Sequence, residues 1–289
     1  MYPIIKLEKE KWSANILEMP DAPKQLYYRG VEPNWNSIFL TVVGSRKYSP
    51  YGKEVCEKII SGLEGYDITI VSGLALGIDA IAHNCALNNN LKTMSVPGSG
   101  LADKSIYPKS NFPLAQKILK SGGTLLSEYE ANQEAAPWTF PQRNRIMAAL
   151  AKVTLVVEAT EKSGTLITAR LALDYNREVA TIPNSIFSLY SKGSNQLLQD
   201  GASPITSSQD LLQILGFDKD DQQGSLALNF ENCSTEEKQI LEKLAKTDYS
   251  KDELIQELDM RTTQINILLS SMEIKGLIQE SLGKFKIKN

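Results

Sequence analysis

The chain has 289 residues, enough for one large α/β domain plus a small second module, and 42% hydrophobic with 22% charged residues is an ordinary soluble globular composition. A net charge of −3 excludes a broadly basic nucleic-acid coat but leaves room for a local basic groove. The single histidine, His83, excludes any mechanism that needs two imidazoles, and the scattered Cys56, Cys85 and Cys233 form no CxxC pair, which argues against a structural zinc.

No apolar run approaches the length of a membrane-spanning helix, and "MYPIIKLEKEKWSANILEMP" has no uninterrupted apolar segment of the secretory kind. A cytoplasmic protein without membrane contact is the expectation, and the unpaired cysteines suit a reducing compartment. Residues 1–36 read as an N-terminal extension. From Ser37 to Gly216 short β-branched runs alternate with glycine-rich turns and amphipathic stretches. "SIFLTVV", "DITIVSG", "LKTMSVPGSG", "GGTLLSEY", "AKVTLVVEAT" and "REVATIP" are the strands, with helices such as "KEVCEKIISGLEG" between them. That alternation predicts an α/β fold, a Rossmann-like doubly wound parallel sheet covered on both faces.

The pattern stops near Gly216, and 217–230, containing "FDKDDQQGS", reads as a linker. In 231–289, Ser234 with Glu237 and Ser250 with Glu253 are capping boxes that open two helices. "TTQINILLSSMEIKG" supplies a third, and "LIQES" with "KFKIK" around Gly283 a hairpin. Three helices and a hairpin outline a winged-helix-like domain.

Ligands of a parallel α/β sheet bind outside the carboxyl ends of its strands, and those ends carry the glycines Gly44, Gly73, Gly77, Gly98, Gly100 and Gly164. Glycine turns that lead into helix N-termini predict a phosphate-type ligand. The candidate contacts are Gly44, Ser45 and Arg46; Ser72, Gly73 and Gly77; Tyr107, Lys109 and Asn111; Phe140, Arg143, Asn144 and Arg145; and Ser163, Gly164 and Thr165. Nothing acidic adjoins Arg143 and Arg145 in "FPQRNRIMAAL", so an anion from outside the chain is their expected partner. The competing reading pairs the cations with Glu128, Glu158 or helix C-termini. Tyr107 and Phe140, interleaved with cations, can stack bases or pack in the core. Neither a Walker A sequence nor GxGxxG is present, which counts against an NTPase or a nicotinamide enzyme. Asp79 and His83 share a helix face at i and i+4; the favoured reading is a loop-fixing carboxylate and a buried, hydrogen-bonded imidazole.

"VVGSR", "VSGLALGIDAIAH", "GSGLADKSIYPKSN", "LLSEY", "FPQRNRIMAAL", "VVEATEKSGTLITARLA" and "GSNQLLQDGA" occur in that order between about Tyr27 and Leu215. Together they resemble the DNA-processing protein A family, DprA or Smf. The resemblance implies an extended Rossmann fold, without enzymatic activity, cofactor or metal, that binds single-stranded DNA. It also implies a homodimer that protects incoming strands during natural transformation and helps load the RecA recombinase onto them. Arg46 and the arginines of "RNR" would then hold successive phosphates, with Phe140 against a base.

Several positions depart from the family pattern: Asn184 where glycine is usual, Pro97 in "SVPGSG", and Glu130 and Glu134 beside the implied strand path. Residues 231–289 hold nine Lys/Arg against eleven Asp/Glu, so the tail is expected to meet protein rather than insert into duplex DNA. The alternatives are a nucleotide-binding Rossmann enzyme of the phosphoribohydrolase type and a free-nucleotide sensor. "KSGTLIT" only loosely echoes the enzymes' loop, and the glutamate they need beyond it is missing.

Overall fold

The computed structural model describes residues 2–217, 234–244, 249–258, 262–275, 277–281 and 284–287. The chain divides into two compact units, Met1–Gln223 and Gly224–Asn289.

In the first unit, chain order runs β1 (Ile4–Leu7), α1 (Ala14–Leu17), β2 (Leu26–Gly30), β3 (Ile38–Val43), α2 (Pro50–Ser61), β4 (Ile68–Ser72), α3 (Ile78–Asn88) and β5 (Lys92–Ser95). It continues through α4 (Phe112–Lys120), β6 (Thr124–Ser127), α5 (Thr139–Leu150), β7 (Val153–Val156) and α6 (Thr165–Asp174). It closes with β8 (Glu178–Thr181), α7 (Lys192–Gln199), β9 (Ser203–Pro204) and α8 (Ser208–Ile214). The nine strands lie in the order β1-β2-β6-β5-β4-β3-β7-β8-β9. All pairings from β6 to β9 are parallel, whereas β1 with β2 and β2 with β6 are antiparallel. All six strands read from the sequence are present, as β3 to β8.

The strand order reverses at β3, which has β4 on one side and β7 on the other. The carboxyl ends of β3 and β7 therefore flank the switch point, where loops from both halves converge. Both faces are buried, which explains the near-continuous apolar runs. Trp12, Ile16, Met147 of α5 and Ala169 of α6 share one core. Cys56 and Ile60 of α2, Ile78 and Ala82 of α3, and Leu211 of α8 form another. Leu114 and Ile118 of α4 pack with Leu74 and Leu125 in a third.

Residues 1–36 differ from the extension expected of them. Ile4 pairs with Arg29, and Tyr27 with Ser127, so this segment adds two strands to the sheet. Leu7, Trp12, Ile16, Met19 and Leu26 bury their side chains in the core, which ties the segment down. Of the expected linker, residues 218–230 lie outside the described residues; Phe217 stacks edge-on against Tyr66 at 4.9 Å.

The second unit holds α9 (Thr235–Leu244), β10 (Tyr249–Ser250), α10 (Lys251–Glu257), α11 (Thr262–Ile274), β11 (Ile278–Ser281) and β12 (Lys284–Ile287). Its strands run in the order β10-β12-β11, all antiparallel. Both capping boxes form: Ser234 N–H donates to Glu237 at 2.9 Å and Ser250 N–H to Glu253 at 2.7 Å, each answered by the glutamate's own amide. Ile240, Leu254, Ile265, Leu269 and Phe285 make its core.

Candidate nucleic-acid interface

The rim formed by the carboxyl ends of the parallel strands brings some of the predicted residues together and turns others inward. Arg46, in the loop after β3, is exposed, and its guanidinium lies 5.3 Å from the centroid of the Phe140 ring. Tyr107, 48% exposed, stands 5.8 Å from the same ring. Lys109 is exposed two residues further on. Neither Arg46 nor Lys109 forms an ion pair with any described residue. Arg46 and the two rings, from the loop after β3, the start of α5 and the loop after β5, thus share one patch, and Lys109 is exposed two residues beyond Tyr107. A phosphate can take the cations and a base can stack on the rings.

Arg143 is a different case. Only 4% of it is exposed, and its guanidinium covers Gly73 so closely that a Cβ there would collide with it. It donates to the Val96 carbonyl and lies near Asp79, and burial lowers its pKa to about 10. Asp79 accepts from the amides of Gly73 (3.0 Å) and Ala75 (3.3 Å). Burial raises the Asp79 pKa, opposed by Arg143 and those amides. Gly73, Gly77 and Ser72 consequently do not form an open cradle. The Gly73 N–H is spent on Asp79, and the Ser72 hydroxyl donates inward to Val42 O at 2.7 Å. Gly77 adopts φ +83° where any side chain would strike the backbone of Ser45 and Arg46. That close approach seats the Arg46 loop on the start of α3, where the Ile78 amide donates to Ser45 O at 3.2 Å.

Arg145 corrects the expectation of an outside anion directly. Its guanidinium pairs with Glu128, which is as deeply buried, and with Asp21, whose carbonyl also accepts from it. Burial raises the Glu128 pKa against the pull of Arg145. These partners lie 17 and 124 residues away, so only the fold reveals them. Asn144 is half-buried beside them. Asn111 also works internally, donating to the carbonyls of Leu74 (2.9 Å) and Ala75 (3.0 Å).

At the switch point, Glu158 is fully buried after β7. Its carboxylate accepts from the Ser49 amide (2.9 Å), the Ser49 hydroxyl (2.5 Å) and the Asn184 amide (3.2 Å). Ser49 caps α2, so a carboxylate of the chain itself occupies the anion seat at the first crossover helix. Ser163 caps its own turn by accepting from the Thr165 amide at 3.2 Å, and the Thr165 hydroxyl donates to Gly44 O at 3.1 Å. Gly164 is exposed with open space around it. His83 is fully buried with Nδ1 2.7 Å from the Thr93 hydroxyl, and burial lowers its pKa to about 3. The imidazole is neutral and remote from solvent. Ser49 and Asn184 carry no sequence signal of their own as partners of Glu158, because a polar residue in a turn is commonplace.

Among the described residues no helix is long and apolar enough to cross a membrane. A family model described as DNA recombination-mediator protein A matches residues 3–216. DNA processing protein DprA of Streptococcus pneumoniae is 40% identical over 216 residues, 75% of each chain. Protein Smf of Escherichia coli is 38% identical over 214 residues, 74% of this chain and 57% of that protein. The X-ray structure of the S. pneumoniae protein superposes with a TM-score of 0.68 over 75% of each chain. A structure of DNA processing protein A from Helicobacter pylori, described as giving insights into a unique single-stranded DNA binding mode, superposes at 0.67 with 30% identity, over 74% of this chain and 96% of that one. On a match that spans nearly the whole first unit, this chain belongs to the DNA recombination-mediator protein A family, that of the DprA and Smf proteins.

Proposed function

We propose that the protein binds single-stranded DNA along the carboxyl rim of its sheet, protects incoming strands and helps load RecA onto them. The observation that carries the reading is the patch in which exposed Arg46 and Tyr107 meet the Phe140 ring, with Lys109 exposed two residues on and neither cation in an ion pair among the described residues. Phosphates meet the cations without sequence choice, and unstacked bases meet the rings, which a duplex does not offer. Gly44, Ser45 and Gly164 border the same track. Arg143, Arg145, Asn111, Ser72 and Thr165 serve it by holding the loops from within. The binding described for the H. pylori relative supports this reading, as does the family match.

The protein acts as a cytoplasmic homodimer and without catalysis in this reading. The second unit, whose described residues form three helices and three strands that suit a winged-helix-like domain, contacts protein. The enzyme and nucleotide-sensor readings have less support, because Glu158 fills the anion seat a mononucleotide phosphate would need. Titration with labelled oligo-dT, a matched duplex and free mononucleotides separates the three readings. Single strand should win by about tenfold or more and weaken with salt. Equal affinity for duplex, or preferential mononucleotide binding, would overturn the proposal.

A further inference from the structure

A second cluster of hydrogen-bond donors lies at the opposite end of the sheet from the rim. Ile38 and Phe39 open β3, Lys152 immediately precedes β7 and Arg177 immediately precedes β8, so they stand at the amino ends of neighbouring strands. With Trp35, and with Ser13 and Asn15 from the N-terminal segment, they line a cleft of about 220 Å³.

Arg177 is half-buried, and its side chain makes no hydrogen bond or ion pair with any described residue, although Asp174 and Glu178 are close in the chain. Only its Nε is enclosed; the two Nη groups reach solvent and are the ones a ligand can meet. A cation this far buried is costly to keep without a partner. Lys152 is exposed and donates to Leu215 O at 2.7 Å, which leaves further N–H donors free. Asn15 is half-buried, and its side-chain amide bonds to no described residue. The Ser13 hydroxyl accepts from the Ile16 amide at 3.3 Å and keeps its own proton to give. No Asp or Glu is among the residues that line the cleft.

Cations near helix ends often serve the helix dipole, and α5 and α6 end just before Lys152 and Arg177. That role accounts for Lys152, which meets a carbonyl at the end of α8, and leaves Arg177 unexplained. We propose that this cleft binds a phosphate group, free or as a small organic monoester, away from the rim and independently of the single-strand reading. Arg177 offers a planar fork, Lys152 a second positive charge, and Asn15 and Ser13 neutral donors. Donors from four side chains exceed what a carboxylate's two oxygens need and suit the three of a phosphate monoester. The volume falls below the roughly 300 Å³ at which drug-sized sites begin, so the cleft suits a phosphate with a short stem rather than a whole nucleotide. Trp35 and Phe39, with ring centroids 6.0 Å apart, give such a stem an apolar wall.

Calorimetric titration in phosphate-free buffer tests the site, with inorganic phosphate and phenyl phosphate as probes. The proteins compared are the full chain, Arg177→Ala, Arg177→Lys, Asn15→Ala and Arg46→Ala. Inorganic phosphate should bind the wild type saturably, with a Kd below about 10 mM. Tighter binding of phenyl phosphate assigns the cleft to an organic monoester, and equal binding assigns it to the free anion. Arg177→Ala should weaken binding about tenfold or more, and Arg177→Lys by less, because charge remains without the fork. Asn15→Ala should weaken it about threefold and reads the cleft even where Arg177→Ala does not fold. Arg46→Ala should leave phosphate binding within about twofold, since it alters only the rim. No saturable binding by the wild type, or unchanged binding in the folded Arg177 and Asn15 variants, would overturn the proposal. Loss of binding in Arg46→Ala alone would overturn it too, by moving the phosphate to the rim.

Discussion

Arg46 and Arg143 stand on the same rim of the same sheet, and on paper both are cations after a glycine or aromatic turn. In the fold they are opposites. Arg46 is exposed over a half-buried ring, whereas Arg143 is walled in against Gly73, Val96 O and the Asp79 region. A guanidinium can hold a ligand or hold a loop, and burial with partners decides which. Arg143 shapes the loop after β4 from below, and Arg46 is left to meet what arrives from outside.

Replacing Arg143 is the harshest way to break that contrast. Arg143→Ala would leave Asp79 buried without its cation and open a void at Gly73, with an expected loss of stability of about 3–5 kcal/mol. Denaturant unfolding measures it. A variant of unchanged stability would show that Arg143 is a surface ligand group after all.

His83 sharpens the comparison from the buried side. It is neutral in the fold, with its pKa lowered to about 3, while the unfolded chain takes up a proton below about 6.5. The unfolded state therefore binds more protons as pH falls from about 6.5, and stability falls with it, by at most about 1.4 kcal/mol per pH unit. Asp79 and Glu128, with raised pKa values, act in the opposite sense as pH drops through their range. They are common to wild type and His83→Asn, so the difference between the two unfolding profiles isolates the imidazole. Oligonucleotide affinity should be unaffected in the folded fraction; parallel profiles for the two proteins would refute the assignment.

The smallest effect is expected from the second unit. A chain ending at Gln223 keeps Phe217 against Tyr66 and drops residues whose nine basic and eleven acidic side chains leave them slightly negative. Loss of net negative charge removes no large phosphate-binding contribution, so gel-shift affinity at matched salt should stay within about threefold. A drop beyond about tenfold would place basic residues of the tail, such as Lys284, on the strand.

The sequence makes the parallel half of the sheet legible because "SIFLTVV", "DITIVSG" and "AKVTLVVEAT" are apolar on both faces and bounded by glycine. It hides β1 and β2. "IIKL" and "LYYRG" are short, sit on or near the edge, and are joined by eighteen residues with little regular structure, so their pairing shows no periodic signal. The cations of the candidate site are legible as residue types, and their fates are not. Nothing near Arg145 in the chain announces Asp21, and nothing near Ser49 announces Glu158, because both contacts are made by the fold across more than a hundred residues.

The account turns on Arg46, and its most direct test is the salt dependence of oligo-dT binding for wild type and Arg46→Ala. The variant should lose about 1–3 kcal/mol of affinity, flatten the slope of log affinity against log salt by somewhat less than one, and melt at the wild-type temperature. Unchanged affinity and slope in a folded Arg46→Ala would contradict the claim that this exposed arginine holds the strand.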